Sequence, residues 1–322
     1  MLDRRKFLLL LGAGAAGLVL LPKQKFASMP LLSPGRTAPK SVKPVSQEPK
    51  TAPAEKYSLS VVKGSEPGAM TRKAVDLIGG MGTFVSKGDV VLVKPNIGWD
   101  RVPEQAANTN PIVVATLIAM VLESGAKKVI VADNPCNDPR RCYKRSGIAD
   151  AAKNAGAEVL YIEDRDYVKT DLRGAVLKDW LVYRNALDAD KIINVPIAKT
   201  HGTARLTLAM KNLMGVTGGA RNLMHQKMFD SVVDLTAFFK PTLHVLDAIR
   251  ILKANGPTGG SMQDVANLNL VAASADPVAL EAFGVTLFGK KAEDLPEIRI
   301  GQERGLGVSD YRTKGFAEID IG

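Results

Sequence analysis

The chain has 322 residues, with 43 Lys+Arg against 33 Asp+Glu and a formal net charge of +10. A charge of that size invites a phosphate-backbone binder, yet residues 1–56 hold 10 Lys/Arg and 3 Asp/Glu, leaving 33 and 30 for residues 57–322. The nearly balanced body excludes a generic nucleic-acid surface, and two cysteines give no reason to expect a disulfide framework or an iron–sulfur cluster.

Residues 1–29 read as an export signal or anchor. Arg4-Arg5-Lys6-Phe7-Leu8 precedes an apolar run over 7–21, too short for a comfortable transmembrane span. The paired arginines and Gly/Ala-rich run match a twin-arginine signal; a general secretory signal that happens to carry two arginines is the alternative. No clean small-x-small cleavage site lies just after Leu21, where Pro22 to Met29 offers only Ala27-Ser28, so the apolar run is also readable as an uncleaved membrane tether. Residues 22–56 contain 7 of the 18 prolines, and 30–56 read as an extended linker. The expectation is export by the twin-arginine machinery to the periplasm or the outer face of the cytoplasmic membrane.

From 57 to 322 short β-rich runs alternate with helical stretches. Strands are expected at Ser58–Val62, Asp89–Lys94, Lys128–Ala132, Glu158–Ile162, Lys191–Val195, Thr242–Leu246 and Leu268–Ala272. Helices are expected at Thr71–Gly79, Pro111–Ser124, Ile148–Ala155, Ala204–Leu213, Phe229–Phe239 and Pro277–Phe288. This alternation predicts an α/β fold: a largely parallel sheet flanked by helices in Rossmann-like layers. In such sheets function gathers at the C-terminal strand ends. Those ends are Lys94-Pro95-Asn96, Asp133-Asn134-Pro135-Cys136 and the stretch from Pro196 to His201.

The segment Lys191 to Phe229 is the most unusual. It carries six Lys/Arg, no Asp or Glu, and two of the three histidines, His201 and His225. Such mutually repelling charge points to an anionic partner, and the expected ligand is a small anion. With a helix over 204–213, Thr203 would cap its anion-attracting N-terminus beside Lys199 and His201. Thr203, Thr207 and Lys211 would then form one stripe. Lys94, Asn96, Thr203, Arg221 and Asp247 are the expected ligand-binding residues. Lys199, His201, Lys211 and His225 are the expected catalytic ones. The two histidines are also candidate metal ligands, although 23 intervening residues carry no metal-site spacing. His244, inside an expected strand, reads as structural. For Cys136 and Cys142 three readings are open: a small-loop disulfide, independent thiols, or metal ligands. No G-x-S-x-G, H-E-x-x-H or P-loop motif occurs.

Several blocks resemble the family called domain of unknown function 362. They are Lys94-Pro95-Asn96 after the VVLVK run, Asn110-Pro111, Gly125 to Val129, Ala198 to Val216, and Ala275 to Ala279. The resemblance spans roughly 57–290 and implies a second acidic position on the helix after Asp276-Pro277, which Glu281 would fill. It implies no reaction. A more distant similarity links Lys199, His201, Lys211 and His225 to proteins related to lactate racemase, which bind a nickel–pincer nucleotide. The spacings here differ from the motif that tethers that cofactor.

The leading expectation is an exported enzyme acting on a small anionic molecule, with no cofactor specified beyond a metal ion at the histidines. The alternatives are a non-catalytic binding module for an anionic ligand or cofactor, and a membrane-tethered assembly factor.

Overall fold

The computed structural model describes residues 57–322. The export signal expected over 1–29, the tether at 7–21 and the linker over 30–56 lie outside the described residues.

In chain order the first elements are β1 (Leu59–Lys63), α1 (Pro67–Leu77), β2 (Val90–Pro95), α2 (Pro111–Glu123), β3 (Lys128–Val131), α3 (Pro139–Arg145), α4 (Ile148–Asn154) and β4 (Glu158–Val159). Next come β5 (Tyr167–Asp171), β6 (Asp179–Tyr183), α5 (Arg184–Asp188), β7 (Lys191–Val195), β8 (Ile197–His201), β9 (Arg205–Thr207) and α6 (Ala209–Asn212). The chain continues with α7 (Met228–Phe239), β10 (Leu243–Leu252), β11 (Val265–Ser274), α8 (Pro277–Gly284), α9 (Pro296–Glu303) and β12 (Phe316–Asp320).

The main sheet runs β12-β1-β11-β10-β7-β2-β3-β4. Neighbours from β10 through β4 are parallel, whereas β11 is antiparallel to both β10 and β1. The strands read as continuous apolar runs because successive side chains enter different cores. Val62, Val91, Val93 and Val245 pack with α1, α2 and α4, while Val61, Leu246, Leu270 and Ala272 pack with the layer of α6 to α9. Local signals set the helix starts. Asn110 accepts from Ile112 N and Asp276 from Ala279 N, each followed by proline at the first helical position.

Two expectations are corrected here. The strand over 158–162 stops at Val159. The helix over 204–213 is replaced by an antiparallel hairpin of β8 and β9 followed by the single turn of α6. Thr203 therefore caps no helix but sits in the hairpin turn, and the stripe of Thr203, Thr207 and Lys211 does not exist. The alternating residues of β8 serve sheet pairing: after Pro196 the chain resumes beside β10, with Ile197 opposite Asp247. Among the described residues no helix is long and apolar enough to cross a membrane.

Candidate functional site

The C-terminal ends of β2, β3 and β7 converge, and polar residues at those ends build one buried network. Lys94, at the end of β2, is 1% exposed. Its Nζ has three oxygen partners: Asp133 Oδ1 at 2.8 Å, Pro95 O at 2.7 Å and Asn212 Oδ1 at 3.0 Å. Those fill an ammonium's donors. Asp133, just past β3, also accepts from Ile97 N at 2.6 Å and Asn134 N at 3.0 Å. The hub is Asn212, whose Oδ1 takes a second hydrogen bond from Asn96 Nδ2 at 2.9 Å. Its Nδ2 donates to Asn194 Oδ1 at 2.8 Å, and Asn194 Nδ2 reaches Ala209 O and His244 Nδ1. Close packing here is strict: a Cβ on Gly215 would stand 1.7 Å from Asp133 Oδ1 and 2.6 Å from Lys94 Nζ.

Lys199 and His201 are two apart in β8 and share one face of the hairpin. Lys199 is also buried, donating to Asn96 Oδ1 at 2.9 Å and Ala107 O at 2.6 Å. Opposite it in the register is Thr207, whose buried hydroxyl has no partner among the described residues. Burial, reinforced by the positive charge of Lys211, pushes the Lys199 amine down to about 7. Lys211, partly buried on α6, has one hydrogen-bond partner among the described residues, Met214 Sδ at 3.7 Å. Burial first, then the charges of Arg221 and Lys94, bring it down to about 8. Arg221 donates to Asn134 O at 2.9 Å and Pro135 O at 3.2 Å, pinning the loop after β3.

The two histidines meet. Their ring centroids are 5.8 Å apart and the planes are tilted by 27°. His201 Nδ1 accepts from Thr203 N and Ala204 N, both at 3.2 Å, so the neutral ring carries its proton on Nε2. Burial and the charge of Lys211 push His201 down to about 3 and hold His225 below its ordinary value. Both imidazoles are thus neutral near neutral pH. Beside them a surface groove of about 420 Å³ opens, lined by Thr203, His225, Lys227, Met228 and Phe229 among others. Among the described residues no three His, Cys, Asp or Glu side chains group as a metal site.

The remaining expected residues lie elsewhere or act differently. Asp247 is buried on β10 with its oxygens occupied by Asn110 N at 2.7 Å and Ile249 N at 3.1 Å. It holds the start of α2, and burial pushes its carboxyl up to about 6. The carboxylate paired with an amine of the cluster is Asp133, held by Lys94. Glu281 stays behind the cluster: its Oε1 accepts from Met210 N at 2.6 Å and so fixes the start of α6. Burial pushes Glu281 well up, and neighbouring Glu297 up to about 7. Cys136 and Cys142 are both free, the first exposed and the second buried. Cys136 N donates to Gly98 O at 2.9 Å, at the edge of the network. Asn194 and Asn212 were not among the expected site residues. Their signal was an asparagine inside the apolar KIINV strand and another beside Lys211.

Fold and site together define an α/β protein with a lysine–asparagine network at its C-terminal strand ends. The chain belongs to the family described as Domain of unknown function (DUF362), which matches residues 91–286 and so contains every residue of that network. It is similar to the thylakoid-associated protein sll1697 of Synechocystis sp. (strain ATCC 27184 / PCC 6803 / Kazusa), with 29% identity over 247 residues, 74% of this chain and 75% of that protein. Among solved structures it is similar to the lactate racemase apoprotein from Thermoanaerobacterium thermosaccharolyticum. The TM-score is 0.42 at 10% identity, over 76% of this chain and 59% of that one.

Proposed function

We propose that this protein is an enzyme acting on a small anionic molecule held by its lysine cluster. One observation carries the reading: Lys94, Lys199, Lys211 and Arg221 gather around one network, and of these four only Lys94 has a carboxylate partner among the described residues, Asp133. Such an excess of positive charge in a poorly solvated place favours an arriving anion, and it strengthens as charge develops in a transition state. Lys211 and Arg221, partly exposed, would meet the anion, while buried Lys94 and Lys199 supply the field behind them. His225, which lines the groove beside the His201 ring, would accept a proton there.

The export reading rests on Arg4-Arg5 and the apolar run over 7–21. A position at a membrane is further supported by the name of the similar thylakoid-associated protein. Oxalate binding followed calorimetrically tests the site. Lys211→Met is expected to weaken it about tenfold or more, the worth of one charge-assisted hydrogen bond, whereas Lys290→Met, at an exposed position, leaves it unchanged. Equal affinities for the two variants would contradict the reading.

A further inference from the structure

We propose that Lys211 is a nucleophilic amine that captures the carbonyl carbon of a 2-oxo carboxylate as an imine. This deepens the anion-site reading and rests on it.

The cations of the cluster are not equivalent. Lys94 Nζ has three oxygen partners, Lys199 Nζ has two, and the Arg221 guanidinium spans two carbonyls. Lys211 Nζ has no oxygen acceptor among the described residues; its one partner is a thioether sulfur, a weak acceptor. Burial disfavours an ammonium there, it lacks oxygen partners that would stabilise the charged form, and Arg221 and Lys94 repel it, against support from Cys136 and Glu297. The amine's lone pair is correspondingly available. A lysine desolvated beside other cations is a recurrent way to make an amine nucleophilic near neutral pH.

The neighbours fit the rest of the reaction. The remaining cations attract a carboxylate, and a carbonyl adjacent to that carboxylate comes within reach of the amine. The neutral amine forms a C–N bond to the carbonyl carbon as the C=O π bond breaks. One proton passes from nitrogen to the new alkoxide, giving a carbinolamine. The C–O bond then breaks, water departs with a second proton, and a C=N bond remains. The electron count is unchanged, and no oxidant or reductant enters. His225, within the influence of Lys211 and against the His201 ring, is placed to carry those protons. The resulting imine is an electron sink next to a carboxylate, which defines the substrate class without fixing the bond that breaks next.

The test is reductive trapping of the full chain with pyruvate or glyoxylate and cyanoborohydride, followed by peptide mapping. One adduct at Lys211 is expected, forming at least about tenfold faster than adducts at exposed lysines such as Lys290. Excess oxalate, which binds as an anion but forms no imine, should protect Lys211 in the unaltered protein. Lys211→Arg should lose the adduct entirely, since a guanidinium forms no imine under these conditions. Labelling spread evenly over exposed lysines, or undiminished by oxalate, would overturn the imine while leaving the anion site intact. Failure of the unaltered protein to bind oxalate at all would overturn the anion-site reading and the imine with it.

Discussion

At the scale of single residues, the Lys94–Asp133 pair is the part of the network least tolerant of change. Both side chains are buried, and Asp133 Oδ1 lies 2.8 Å from the amine. Removing the carboxylate strands a charge whose solvation the protein has replaced, so Asp133→Ala should cost about 3–5 kcal/mol in urea unfolding. Gly215→Ala tests the same packing from outside the pair. Its new methyl would overlap Asp133 Oδ1, so a loss of at least about 1–3 kcal/mol is expected. A Gly215→Ala protein as stable as the parent would show that the backbone yields easily there. Lys211 should behave in the opposite sense. It has no oxygen partner among the described residues and its burial goes uncompensated, so Lys211→Met should raise the thermal midpoint by about 2–4 °C while weakening anion binding.

At the scale of elements, a buried carboxylate again does the fastening. Asp234 of α7 accepts from Ala175 N, Val176 N and Leu177 N, each at 2.8 Å, and from Arg304 at 2.7 Å. Burial works against its charge, but these donors together hold the carboxyl below its ordinary value. Its contribution is therefore present above the ordinary carboxylate pKa and is lost as pH falls below it. Asp234→Asn should cost about 2–4 kcal/mol near neutral pH, and the gap to the parent should narrow as the solution is acidified. The same scale shows where sequence reading ended. Runs such as VVLVK and KVIV, dominated by β-branched residues and bounded by turns, read as buried strands, and Asn110-Pro111 and Asp276-Pro277 mark the starts of their helices. The block from Ala198 to Asn212 was ambiguous, because short apolar runs satisfy a helix or a strand equally well. Pairing of β8 with β10, a contact remote in sequence, decides it. That choice also explains why Lys199 and His201 share a face. Asp247 was misplaced for a related reason: the end of a strand was legible, but not that two backbone N–H groups would occupy its carboxylate.

At the scale of the whole molecule, the net charge of +10 divides by role. The basic residues of 1–56 lie outside the described residues. Of the basic run over 191–229, Lys199, Lys211 and Arg221 join Lys94, whereas Arg205 is exposed with its guanidinium 5.9 Å from the Phe229 ring and Lys227 faces the groove. Clustering was legible as an acid-free stretch; its division was not, because it depends on which strand ends meet. The concentrated charge has a consequence for titration. Lys199 and Lys211, brought down to about 7 and about 8, are partly neutral under ordinary conditions. A bound anion favours their protonated forms, so binding must raise both values and draw protons from solution. Calorimetric titration with oxalate from about pH 6 to 9, repeated in buffers of different ionisation enthalpy, tests this directly. The expected result is affinity that falls as pH rises through 7 and 8, with proton uptake largest between these free values and the raised ones of the complex. Affinity independent of pH, with no proton uptake, would contradict an anion site built from these lysines.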